Sequence, residues 1–334
     1  MSDSVTAQFA QLISNITVEN VPVAAAEQIR WRVLKAFATI LSADINQRKT
    51  ISRAAATIRP GTSTRSGSPA APGSTGDIQH QPVQSAMSTG AILDIRQPGA
   101  QMHAGPIAVD AAIIPAAWAL VQACQGSGHL FMSALAAGYL ATGVLAALPD
   151  IERGRVWRAG AESATVGAAA AAARASQLSA TATLDAMGFA AAQAWQLAEN
   201  ATTAPHTSVQ DAAARGCQDP PDLPGPGRAA MDGVLSARMA ALDGHCPLAL
   251  VEQLQQAMGT VKLDGALPGA WAIVQGDRPC TGDQAIQGFR EQVASVISEG
   301  EAETIIGLIL RLEHTAPGEL STYVNERIGA RLDS

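Results

Sequence analysis

Apolar residues return at helical spacing along most of the chain. In TVENVPVAAAEQIRWRVLKAFATILSAD, a polar lead-in gives way to Val23, Ile29, Val33, Leu34, Phe37, Ile40 and Leu41, which predicts a loop followed by an amphipathic helix. VQSAMSTGAIL predicts another helix, stopped by Pro98 and Gly99, and PIAVDAAIIPAAWALVQAC begins the next. SGHLFMSALAAGYLATGVLAAL reads as an apolar helix, and ESATVGAAAAAARASQL and ATATLDAMGFAAAQAWQLAEN follow in the same style. RAAMDGVLSARMAAL, PLALVEQLQQAMG and DQAIQGFREQVASVIS resume it.

Two stretches break the pattern. Residues 59–82 are dense in Pro, Gly, Ser and Thr and read as a long flexible connection. Residues 218–227, QDPPDLPGPG, hold four prolines, which remove backbone donors and exclude regular helix. The last part is mixed, and ETIIGLILRLEH is apolar and β-branched enough to predict a strand. The expected organisation is mainly α. A large all-helical domain spans residues 1–245, and a reduced α/β remnant spans 246–334.

Composition reinforces this. Aromatic residues make up only 4%, and Ala is abundant. Ala has the best helix propensity and lets backbones approach closely. The formal net charge of -7 gives no electrostatic reason to expect nucleic acid. The four cysteines, Cys124, Cys217, Cys246 and Cys280, form no CxxC pair or zinc spacing. The N-terminus lacks the basic and apolar regions of a signal peptide, and no stretch reads as a membrane span. A reduced, cytoplasmic protein away from the membrane is the expectation.

Candidate chemistry gathers in ILDIRQPGAQMH, residues 92–103, which hold Asp94, Arg96 and His103 around Pro98 and Gly99. Asp at a helix end also caps or makes turns, so Asp94 alone has a structural explanation. The remaining histidines are scattered, with no HxxxH or HExxH pairing, so no metal site is expected.

Four segments, in order, resemble the MmgE/PrpD family, which includes 2-methylcitrate dehydratase and cis-aconitate decarboxylase. AMSTGAILD is similar to the segment that opens the family's active-site loop. MHAGPIAVDAAIIPAAWALVQACQGSGHLFMSALAAGYLATGVL resembles the stretch that follows it. ESATVGAAAAAARASQLSATATLDAMGFAAAQAWQL resembles the Ala-rich helices, and PGRAAMDGVLSARMAALDG the family's PGRAA segment. The resemblance implies a large all-helical domain, a smaller α/β domain, homodimerisation, and chemistry without metal or organic cofactor.

Carried over residue by residue, the resemblance puts the catalytic Asp of the family's loop on Asp94 and its His on His103. Other loop acids fall on Arg96 and Gln97, where substrate contacts are expected in place of acid–base groups. A further family His falls on Arg158, which could engage one carboxylate or pair with Glu162 four positions on. The family's two substrate-binding lysines fall near Asp222 and Gly276, in stretches without lysine; the chain has only Lys35, Lys49 and Lys262. Ammonium groups hold carboxylates as point charges, so their loss implies a weakly charged small-molecule substrate. The expected activity is proton removal beside a carbonyl, leading to dehydration, double-bond isomerisation, epimerisation or cyclisation. The alternative is a member that has lost its chemistry and serves as a binding or partner protein.

Overall fold

The computed structural model describes residues 5–43, 82–96, 109–146, 161–203, 226–246, 263–275 and 280–323. Helix α1 spans Val5–Asn15 and α2 spans Val23–Ser42. Helix α3 is Pro82–Arg96, α4 Val109–Ala123, α5 Gly128–Ala146, α6 Ala161–Ala175, α7 Ala180–Thr203 and α8 Pro226–Ala241. Then come α9 (Leu263–Gln275), α10 (Gly282–Val293) and α11 (Glu299–Leu310), with residues 317–323 also helical. No strand occurs among the described residues. The mainly α expectation holds.

Helix α6 is the hub, packed by α4, α5, α7 and α8 and touched by α1. Its residues Ala168 to Ala173 are fully buried, and a run of Cβ atoms is what lets that many helices crowd around one axis. Glycine does the same at a second junction. A Cβ on Gly90 of α3 would fall 2.6 Å from the Ala111 carbonyl oxygen in α4 and 2.7 Å from the Cα of Gly227 in α8. Only two glycines facing each other allow the three helices to meet there. Helix α5 is the one described helix long and apolar enough to cross a membrane, and most of it is buried inside this bundle.

The C-terminal expectation needs correction. ETIIGLILRLEH is not a strand: most of it lies in α11, and Leu312–His314 form a short 3-10 turn. Ala302, Ile305, Ile306 and Ile309 are buried, which is a helical face rather than an alternation. The start is fixed by a capping box, in which the Glu301 amide donates to Ser298 Oγ at 3.3 Å and the Ser298 amide to Glu301 Oε2 at 2.8 Å. Capping and burial against α2 override the β-branched composition. The α/β character expected of residues 246–334 is absent from the part that is described. Helices α10 and α11 pack on α2, and α9 packs on α2 and α5. The segments 59–82 (save Pro82), 218–225 and 247–259 lie outside the described residues. Pro226 and Gly227 of the 218–227 stretch are helical after all and open α8, where a first-position proline gives up no needed donor.

Candidate functional site at one end of the helical bundle

Connectivity and a few contacts place the helix ends. Thr142 Oγ1 of α5 donates to the Ser163 carbonyl of α6 at 3.3 Å, and Gly138 lies against Gly167, so α5 and α6 run antiparallel. Gln193 of α7 donates to Ser236 of α8 at 3.2 Å, while Asp185 accepts from the Cys246 amide at 2.9 Å, so α7 and α8 are antiparallel as well. The short connection from Ala123 to Gly128 makes α4 and α5 a helical hairpin. One end of the bundle therefore collects the starts of α4, α6 and α8 with the finishes of α5 and α7. The Gly90 junction ties α3 to that end, because its two partners, Ala111 and Gly227, lie in the first turns of α4 and α8.

Asp94 sits one turn beyond Gly90 on α3, about 6 Å along the axis. It is half-buried, and its neighbour Leu93 is packed into the core. Arg96 closes α3. Gln97, His103 and Arg158 lie outside the described residues.

A polar group that the sequence pattern did not single out occupies the same end. Asp110, in the first turn of α4, is 4% exposed. Its Oδ1 accepts from Arg32 Nη1 of α2 at 2.8 Å and from the Tyr139 hydroxyl of α5 at 2.7 Å. Arg32 also donates from Nη2 and Nε to the Val274 carbonyl of α9, at 2.9 and 3.3 Å. Its guanidinium carbon stands 5.5 Å from the Tyr139 ring centroid. Four helices are thereby joined through one carboxylate and one guanidinium.

The electrostatics follow from burial and pairing. Burial pushes the Tyr139 phenol well above its ordinary range, and the Asp110 charge adds to this, so Tyr139 stays protonated and donates. Burial works against the Arg32 charge, but the charge and hydrogen bond of Asp110 oppose it, and the guanidinium is held above its usual value. The ion pair's only signal in the sequence is a single acid in the apolar run AVDAAII, which reads as an ordinary first-turn acid.

Two other polar clusters differ in kind. Arg228, in the first turn of α8, donates from Nε to both oxygens of the buried Asp232, at 2.9 and 2.8 Å. Burial raises the Asp232 carboxyl, and Arg228 only partly offsets it. Asp185 meets His245 Nδ1 at 3.3 Å at the opposite end of the bundle. The adjacent Cys246 thiol is pushed up to about 11 by burial and by Asp185, which excludes a resting thiolate there. Among the described residues no group of three or more His, Cys, Asp or Glu side chains is arranged to hold a metal ion.

Comparison with known protein families gives a match. Residues 7–263 fit the family model of the MmgE/PrpD N-terminal domain, which covers most of the chain. Proteins of that family are generally lyases of the dehydratase type. No curated protein matches the chain.

Proposed function

Since the chain belongs to the MmgE/PrpD family, we propose that it is a cofactor-free lyase or isomerase acting on a weakly charged small molecule. It removes a proton beside a carbonyl, and the outcome is dehydration, double-bond migration, epimerisation or cyclisation. His103 serves as general base, since a neutral imidazole titrates near working pH, and Asp94 orients it or returns the proton. Arg96, Gln97 and Arg158 contact the substrate. One or two arginines in place of two ammonium groups suit a single carboxylate or a polarised carbonyl better than a di- or tricarboxylate.

The observation that carries the reading is the convergence of helix ends. The helix bearing Asp94 meets the first turns of α4 and α8 at Gly90. Helices α4 and α6 begin at this end, and His103 and Arg158 stand shortly before them in the sequence. Ends of several helices, with connections from different parts of the chain, are where bundles build sites for small molecules. The same reading takes the protein as a cytoplasmic homodimer, and light scattering on a sized sample would remove the dimer by returning a monomer mass.

The test is deuterium uptake in heavy water over a panel running from citrate-like acids to keto-esters and enones. Uptake by the wild type that is lost in His103→Ala and reduced at least tenfold in Asp94→Asn supports the assignment. Uptake unaffected by His103→Ala removes it, and no uptake on any panel member turns the reading towards a binding protein.

A further inference from the structure

Among the described residues, the buried Asp110 carboxylate uses one oxygen twice and the other not at all. Both strong donors, the Arg32 guanidinium and the Tyr139 hydroxyl, converge on Oδ1. Oδ2 has no hydrogen bond among the described residues. An ionised carboxylate offers about four lone-pair sites, and Oδ2 is not among the fully buried side-chain atoms left without a partner, which among the described residues are Thr6 Oγ1 and Thr183 Oγ1. Asp110 keeps a small opening, 4% of its surface, and it lies in the first turn of α4, where α4 meets the Asp94 helix.

We propose that Asp110 is a second functional carboxylate of the site, accepting through Oδ2 a hydrogen bond from a hydroxyl group of the substrate. The inference rests on the proposed location of the site at this end of the bundle. Arg32 decides the kind of donor. A positive charge 2.8 Å from Oδ1 disfavours an ammonium as the next partner, whereas a neutral hydroxyl gains a charge-assisted bond without that repulsion. Arg32 and Tyr139 are positioning residues, because by holding Oδ1 from two sides they aim Oδ2. Substrate recognition would then include a hydroxyl close to the reacting carbon, which is the group a dehydrating lyase has to expel.

The arrangement supplies its own test. In Asp110→Asn the amide oxygen has to take the Oδ1 place, since both neighbours there are donors. The NH2 group then occupies the Oδ2 position, and an acceptor becomes a donor with hardly any change of shape. The probes are methyl 3-hydroxybutanoate and methyl butanoate, titrated by ligand-observed NMR, which needs no turnover. The wild type is expected to bind the hydroxy ester roughly tenfold more tightly, against the greater apolar character of its partner. Asp110→Asn should erase that preference while circular dichroism stays helical.

Tyr139→Phe is the second variant. It retains the charge but frees one side of Oδ1, so the preference should shrink without vanishing. It also serves if Asp110→Asn does not fold. A wild type without preference for the hydroxyl, or a preference that survives in Asp110→Asn, or one unaltered by Tyr139→Phe when that is the only folded variant, overturns the proposal. These readouts are independent of deuterium uptake. Failure of the exchange assay with hydroxyl preference intact would sink the catalytic assignment of His103 and leave Asp110 standing.

Discussion

Arg32 and Asp110 are 78 positions apart in the chain and meet at 2.8 Å inside the bundle. The pair locks α2 to the start of α4, and Tyr139 and the Val274 carbonyl extend the lock to α5 and α9. Removing one partner of a buried ion pair leaves an uncompensated charge, which costs more than the pair itself contributes. Asp110→Ala should therefore lose about 3 kcal/mol of stability. Tyr139→Phe removes one hydrogen bond and should lose about 1 kcal/mol. Urea denaturation of the two variants checks the order, and equal losses would mean that Arg32 does not depend on Asp110.

The crossing of α5 and α6 tolerates no added methyl group. A Cβ on Gly167 would clash with Thr142 Oγ1 and stand 2.8 Å from the Gly138 carbonyl oxygen, which is backbone and cannot swing away. Gly167→Ala should lose about 2 kcal/mol or more by overpacking, despite the better helix propensity of Ala. Shortening the other clashing side chain in Thr142→Ala should restore only part of it. A melting temperature for Gly167→Ala at or above that of the wild type would contradict the close crossing.

Two carboxyls should give stability opposite pH dependences. The Asp232 carboxyl is raised above 3.8 by burial, so the unfolded chain loses this proton first as pH rises. Its contribution is most favourable below about 3.8 and declines as pH climbs through the raised folded value. Burial would also raise the Glu313 carboxyl, but the Arg30 hydrogen bonds at 2.6 and 3.2 Å overcome it and hold it below 4.5. That stabilisation is complete above about 4.5 and is lost as pH falls through the depressed folded value.

Asp232→Asn should therefore match the wild type in acid and gain on it towards neutral pH. Glu313→Gln should lose stability at neutral pH and converge with the wild type in acid. Chemical denaturation at a series of pH values reads both, and parallel curves for either variant would show that its carboxyl does not titrate differently on folding.

The caps of the C-terminal helices act locally. Ser298→Ala removes one partner of the α11 capping box and Thr281→Ala the equivalent in α10, each with an expected loss of about 1 kcal/mol. Neither residue is among those assigned to the proposed site, so deuterium uptake should be unchanged. A rate loss in Ser298→Ala would show that the start of α11 bears on the site.

Much of the helical framework is legible in the sequence because its signals are local. The spacing of Val33, Leu34, Phe37 and Ile40 needs only the 3.6-residue period and a core on one side. The stop at Pro98 and Gly99 agrees with α3 ending at Arg96. ETIIGLILRLEH misleads on the same ground, since its composition suggests a strand while the spacing of Ile305, Ile306 and Ile309 fits one helix face. Asp94 is proposed from its place in an ordered set of segments. Asp110 is not, because a lone acid at the start of an apolar helix looks like a dipole partner until its true neighbours are known.

That this chain builds close-packed helices of the MmgE/PrpD kind follows from its residue order, because propensity, apolar period and segment order are properties of neighbouring residues. The assembled bundle was needed to show that Asp110 takes Arg32 and Tyr139 as partners, and that the first turns of α4 and α8 close on the Asp94 helix at Gly90. A buried charge is tolerated only where the fold supplies its partners. Those partners come from α2 and α5, and which helices lie side by side is settled by packing the whole core.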